Sequence, residues 1–221
     1  MPQNRTPAFT CRAILFDLDG TLIDSAARIL RLWQWWAARR GVPLQALLDV
    51  MHGRPAVETI RLAAPHLVAE DEVEALEAEE ISDMHDVYSY PGALDLLARL
   101  NGAPWAIVTS GTARVAEARI GHVHLPRPPV IVTADLIRTG KPSPEAYLLA
   151  ARKLGVQPPD CVVIEDAPVG VQAGKAAGMR VIAIASTHPR EALQEADAIS
   201  ADLRSLSIER SGPFFLIRLV P

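Results

Sequence analysis

Two aspartates one residue apart, Asp17-Leu18-Asp19, follow directly on the apolar run Ala13-Ile14-Leu15-Phe16 and precede Gly20-Thr21-Leu22. A carboxylate so placed can act as a nucleophile, and its neighbour can pass a proton to or from the reacting oxygen. Alone, an Asp-x-Asp run is equally a turn with a capping side chain. Three other segments add to it. Thr109-Ser110-Gly111 follow the run Trp105-Ala106-Ile107-Val108, Lys141-Pro142-Ser143-Pro144 come shortly after Val130-Ile131-Val132, and Glu165-Asp166 follow Cys161-Val162-Val163-Ile164. Brought to one edge, Asp17, Asp19, Glu165 and Asp166 repel one another unless a cation neutralises them. Oxygen ligands with open positions suit a hard cation such as Mg²⁺.

The positioning elements are legible around these groups. The four runs, with Arg180-Val181-Ile182-Ala183-Ile184, are continuously apolar rather than alternating. That pattern belongs to strands covered on both faces, as in a parallel sheet. Helical patterns lie between them at 91–100, 112–120, 144–154 and 167–177; Gly155 and Gly178 stand where helices end. Alternating strands and helices predict a doubly wound α/β core, whose ligands bind at the carboxyl ends of the strands. The stretch 24–90 holds no strand-like run and reads as helices at 25–40, 44–51, 56–64 and 70–88, broken at His52-Gly53-Arg54-Pro55 and at Pro65. It is an insertion, so the expected division is 1–23 with 91–221 as the core and 24–90 as a second, helical domain. The acidic run 70–80 reads as a solvated helix face. The tail 213–220 reads as one more strand, at an edge, and no role suggests itself for 210–221.

The bulk numbers limit the partners. The chain has 221 residues, 49% apolar, with a formal net charge of -4, so it can bury a substantial core and offers no basic surface for nucleic acid. Only Lys141, Lys153 and Lys175 are lysines, and the last two fall inside helices where they face solvent. Cys11 and Cys161 stand apart from any Cys/His cluster and read as two buried thiols. Residues 1–10 lack the apolar core of a signal peptide and no run is long enough to span a membrane, so a cytoplasmic chain, monomeric or weakly dimeric, is expected.

The ordered set Phe-Asp-Leu-Asp-Gly-Thr-Leu at 16–22, Val-Thr-Ser-Gly at 108–111, Gly-Lys-Pro at 140–142 and Ile-Glu-Asp-Ala at 164–167 resembles the motifs of the haloacid dehalogenase superfamily over residues 12–202. The insertion resembles the cap of its C1 class. Residues 33–42, 52–54, 105–112 and 140–166 are closer still to bacterial sugar phosphatases and to the glycerol-phosphate and 2-deoxyglucose-6-phosphate phosphatases.

The resemblance implies a Rossmann-like sheet with an α-helical cap, and Mg²⁺-dependent hydrolysis of a small sugar or sugar-alcohol phosphate. Asp17 would attack phosphorus and form an aspartyl-phosphate; Asp19 would protonate the leaving oxygen and then deprotonate water. Mg²⁺ would be held by the Asp17 carboxylate, the Asp19 backbone carbonyl and Asp166, with Glu165 as a further ligand or behind the ligands. Thr109, Ser110, Gly111 and Lys141 would hold the phosphoryl group, a role compatible with Thr109 also capping a helix. In the cap, the break at His52 and Arg54 could face the substrate or be a simple corner. Glu58 is a candidate for hydroxyl recognition by position. Trp33, Trp35 and Trp36 read as cap core, and joints are expected near 24–25 and 89–92.

Rival chemistries leave traces. A phosphonate hydrolase of the superfamily needs a cap lysine, and 24–90 contains none. A dehalogenase needs neither the second aspartate nor the Glu165-Asp166 pair. β-Phosphoglucomutase-like phosphoryl transfer uses the same motifs and stays open, as does a silent sugar-phosphate-binding regulator.

Overall fold

The structure is a computed structural model and describes residues 8–51, 53–100 and 102–220. Six strands form one parallel sheet: β2 (Ala13–Phe16), β5 (Trp105–Val108), β6 (Val130–Val132), β7 (Cys161–Glu165), β8 (Arg180–Ile184) and β9 (Ala198–Ser200), in the order β6-β5-β2-β7-β8-β9. The chain runs outward from β2 through β5 to β6, then returns to β7 on the other side of β2. The resulting switch point places the carboxyl end of β2 between those of β5 and β7. Register aligns them: Phe16 lies opposite Ile107 on one side and Ile164 on the other.

Alternate residues of each strand feed separate cores, which is why the runs are apolar throughout. Ile14, Phe16, Ile107, Val162, Ile164 and Ile182 pack with α5 (Ala93–Ala98) and α6 (Ala113–His122). Ala13, Leu15, Ala106, Val108, Val163 and Val181 pack with α7 (Glu145–Leu154) and α8 (Pro168–Ala176). Cys11 and Cys161 are free and buried, and burial pushes both thiols up to about 12. They are inert packing groups.

The helices expected in the insertion are present: α1 (Ala26–Arg40), α2 (Leu44–Leu48), α3 (Ala56–Ala63) and α4 (Ala69–Ser82). They share an apolar cluster built on Leu32, Trp33, Trp36, Leu47, Ile60 and Leu76. Trp33 and Trp36 meet edge to face at 5.8 Å, while Trp35 lies farther out under Arg39. Lys153 and Lys175 are exposed, as expected.

Three expectations need correction. The last insertion helix does not reach residue 88: it stops at Ser82, and β4 (Tyr88–Ser89) pairs antiparallel with β3 (Ile23–Asp24). Ser82 Oγ donates to Glu79 O and Asp83 Oδ1 accepts from the His85 N–H, so side chains compete with the helical ladder there. The resulting ribbon sits at the two joints of the insertion. The acidic run is not simply a solvated face. Glu72 is buried, accepting from Trp36 Nε1 at 2.9 Å and Arg40 Nε at 2.7 Å, because partner elements supply the donors. Finally, β11 (Phe214–Leu219) is no edge strand. It is the centre of a separate antiparallel sheet between β1 (Ala8–Cys11) and β10 (Leu206–Ser211). Phe215 and Ile217 turn into the first core.

Ile217 is fully buried at that junction. Ile217→Ala should lower the unfolding free energy by about 2–5 kcal/mol in denaturant titrations, since the site has little freedom to collapse.

Candidate active site

Asp17, Thr109, Glu165 and Asp166 stand at strand ends. Asp17 follows β2, and its N–H continues the ladder to Ile164 O at 2.9 Å. Thr109 follows β5, and its N–H reaches Val132 O at 2.9 Å. Glu165 ends β7 and Asp166 follows it. Lys141 comes from the loop before α7, whose Lys141–Pro142 peptide is cis.

Lys141 is buried among the carboxylates. Its Nζ donates to Asp17 Oδ1 at 2.5 Å and to Glu165 Oε1 at 2.6 Å. Burial works against its charge, but Asp17 and Glu165 outweigh burial and hold the ammonium well above its ordinary range. Tyr147, from α7, donates its hydroxyl to the same Glu165 oxygen at 3.1 Å. Glu165 Oε2 accepts the N–H groups of Asp166 at 2.8 Å and Ala167 at 2.9 Å. Four donors thus occupy Glu165. Gly170 leaves it room: a Cβ there would lie 1.7 Å from Oε1.

Asp17 and Asp166 are the carboxylates with capacity left. Asp17 Oδ2 is buried with no hydrogen-bond partner. Asp166 accepts from Thr21 Oγ1 at 3.0 Å and from the Thr187 hydroxyl, which leaves lone pairs on both oxygens. Burial pushes Asp17 well above the usual carboxylate range, with Glu165 and Asp166 adding to the rise against the pull of Lys141. Burial, then Glu165, pushes Asp166 up to about 7. Oxygens of Asp17, Glu165 and Asp166 lie within 4.8 Å of one another, a set that could hold a metal ion. The orphaned oxygen on Asp17 and the raised carboxyls are what a divalent cation would relieve. Gly20, at φ +92°, makes the close approach possible: a Cβ there would lie 2.2 Å from Asp166 Oδ2.

Asp19 is oriented separately. Its Oδ1 accepts from Ser25 Oγ at 2.8 Å and lies 2.7 Å from Arg119 Nη1. Its Oδ2 has only a long contact, 3.4 Å, from Thr109 Oγ1. Thr109 Oγ1 also accepts the Gly111 N–H at 3.0 Å; Thr112, not Thr109, stands at the N-cap position of α6, without a side-chain capping bond, and Asp135 Oδ2 accepts the Ala113 N–H.

The insertion's helix break seats on these strand ends. Gly53 O accepts from Ser110 Oγ at 2.7 Å, Glu58 Oε1 accepts the Gly140 N–H at 2.9 Å, and Gly53 abuts Val169. Glu58 therefore holds the Lys141 loop. Arg54 lines the cavity between insertion and core, and His52 lies outside the described residues. That cavity, of about 610 Å³, has Asp17, Asp19, Thr109 and Asp166 on its floor and Ile29, Trp33 and Leu76 on its walls.

Sequence reasoning missed Tyr147, Arg119, Glu80 and Thr187. The first two had a signal, a polar residue interrupting a helix face of small and apolar side chains. Glu80 lay hidden in the acidic run, and Thr187 in an irregular loop.

A three-layer α/β sheet with paired carboxylates and a buried lysine at its switch point defines a class, and the chain matches the family model described as haloacid dehalogenase-like hydrolase over residues 11–178. It belongs to that family. It is 42% identical to Hexitol phosphatase A of Escherichia coli (strain K12), over 90% of this chain and 95% of that protein. It is 37% identical to Glycerol-1-phosphate phosphohydrolase 2 of Saccharomyces cerevisiae, over 83% of this chain and 78% of that one. A solved structure of a CbbY mutant from Rhodobacter sphaeroides in complex with xylulose-(1,5)bisphosphate superposes with a TM-score of 0.79 at 27% identity, over 89% of this chain and 96% of that chain.

Two predictions follow from the charge arrangement. Lys141→Ala leaves Asp17 and Glu165 buried without their cation and should cost about 3–5 kcal/mol in unfolding free energy, measured with chelator and without substrate. Asp166 binds a proton up to about pH 7 when folded, against 3.8 as its reference value. Between those values the folded chain holds the extra proton, so this group's contribution to stability falls as pH rises. In chelator, thermal unfolding of wild type should therefore lose ground to Asp166→Asn from acid to neutral pH. A pH-independent gap would refute it.

Proposed function

We propose that the chain is a Mg²⁺-dependent phosphatase that hydrolyses small sugar or sugar-alcohol phosphates through an aspartyl-phosphate on Asp17. The observation that carries this is Asp17 itself: buried at the switch point, one oxygen held by Lys141 and the other without a partner, on the floor of the cavity. The names of the relatives, hexitol and glycerol-1-phosphate among them, support the substrate class.

Asp17 attacks phosphorus, the bond to the leaving oxygen breaks, and Asp19 gives that oxygen its proton. Asp19 then takes a proton from water, whose oxygen attacks phosphorus and frees Asp17 with release of phosphate. Lys141 holds Asp17 in place and offers positive charge to the phosphoryl oxygens, with Thr109 and the Ser110 and Gly111 amides around them. Asp17, the Asp19 carbonyl and Asp166 would hold Mg²⁺, with Glu165 behind them as the anchor of Lys141. When bound, the ion supplies positive charge that screens the anionic nucleophile from the anionic phosphate.

Residues 24–90 act as the cap over 1–23 and 91–221, excluding water from the first half-reaction. The cavity has room for a hexose-sized leaving group, and Arg54, which lines it, would meet its hydroxyls.

A phosphate-release screen over sugar, hexitol and glycerol phosphates tests this. Activity should vanish in chelator and return with Mg²⁺, and Asp17→Asn should lower kcat by at least ~10³-fold. Activity indifferent to chelator would sink the metal assignment. Glucose 6-phosphate formed from β-glucose 1-phosphate without free phosphate would move the assignment to phosphoryl transfer between sugars.

A further inference from the structure

We propose that Arg119 is a positioning residue for Asp19: it clamps one carboxylate oxygen, with Glu80 of the insertion holding its guanidinium from the other side, and so leaves the second oxygen to serve the leaving group. The proposal rests on the phosphatase reading above.

Arg119 projects from α6 in the core, and its side chain is only 3% exposed. Nη1 lies 2.7 Å from Asp19 Oδ1, and Nη2 pairs with Glu80 Oε1 on α4. A carboxylate–guanidinium–carboxylate chain therefore runs from the insertion, through the core helix, to the proposed acid/base. Glu80 is itself fixed, because Arg28 of α1 bonds the carbonyls of Glu79 and Glu80.

Stability alone gives a weak reason for this chain. Buried ion triads are often no better than apolar side chains of the same volume. Arg119 Nε is also buried with no partner, a further cost. Burial works against the guanidinium charge, and Asp19 and Glu80 restore it. The neighbours on its own helix, Val115, Ala116 and Ile120, are all buried and apolar. An apolar residue would pack there without needing any partner.

The geometry at Asp19 supplies the reason. Arg119 and Ser25 both engage Oδ1, which fixes the rotation of the carboxylate. Oδ2, with only the 3.4 Å Thr109 contact, is left as the working oxygen. Glu80 sets how far the guanidinium can move. Without it, both ends of the planar fork are free to close on Asp19 and occupy Oδ2 as well. Lysine, a single point charge, cannot hold two carboxylates in fixed directions in this way. Seating of the insertion thus becomes part of the acid/base machinery, since the residue that restrains Arg119 comes from α4.

A salt bridge that merely ties insertion to core would affect all substrates alike. A residue that aims the proton donor affects only esters that need the proton. The test therefore compares kcat/KM, which reports steps up to departure of the leaving group, for two esters. Sorbitol 6-phosphate releases an alkoxide that must be protonated, whereas 4-nitrophenyl phosphate releases a phenolate that leaves without a proton.

For Arg119→Lys, kcat/KM should fall about 10–100-fold on sorbitol 6-phosphate and under about threefold on 4-nitrophenyl phosphate. Glu80→Gln, which keeps size and hydrogen bonding, should shift the same ratio in the same direction by a smaller factor, and it decides the matter if the Arg119 variant does not fold. Equal losses on both esters, or no change on either, in a folded variant overturn the proposal. Wild-type enzyme that releases phosphate from neither ester overturns the phosphatase reading, and this inference with it.

Discussion

The buried ammonium of Lys141 is the interaction on which the site depends. Three carboxylates lie at adjacent strand ends in a space from which water is largely excluded, and among the described residues nothing else within the cluster carries positive charge. Asp17 and Glu165 are both within 2.6 Å of it. The rest of the arrangement serves that contact. Tyr147 and two backbone amides saturate Glu165, so that it remains an anchor. Gly170 gives it space, and Glu58 holds the loop from which the lysine comes. One charge thereby fixes the orientation of Asp17, the spacing of two strands and the docking of a loop.

The insertion is tied to the same few positions. Its helix break rests on the ends of β5 and β7 and on Gly140, and its last long helix reaches Arg119. Apolar packing joins these contacts, since Ile81, Met84 and Val87 pack into the first core, while the insertion keeps its own apolar cluster around Trp36. The joint thus combines hydrogen bonds and ion pairs at the strand ends with apolar contact at the end of α4.

Much of this was legible in the residues. The five continuous apolar runs became parallel strands because burial on both faces leaves no alternative pattern, and Asp17, Thr109, Glu165 and Asp166 fall at carboxyl ends because they directly follow an apolar run, whereas Lys141 reaches them from a loop. What escaped notice lacked a periodic signal. The strands β1, β9 and β10 are short, mixed in character or paired far away in the chain. Tyr88 and Ser89 sit after a run of Asp, Met and His residues in which side-chain bonds replace the helical ladder. Glu72 and Glu80 look like solvent-facing charges until Arg40 and Arg119 arrive from other elements, and only tertiary structure brings them. Thr187 reaches Asp166 from an irregular loop, where spacing carries no information about direction.

The second sheet has a consequence for how the chain is made. The backbone partner of residues 8–11 is the strand at 214–219, with almost the whole described chain between them. During synthesis β1 precedes β11 by about two hundred residues, and its ladder can close only after β11 has left the ribosome. Pairing over such a separation is slow, since the loop must be closed before any contact rewards it. Meanwhile Phe9 and Cys11 lack the cover that Phe215 and Ile217 provide. Closing this sheet is therefore a zipping together of early and late segments of the described chain, away from the acidic cluster.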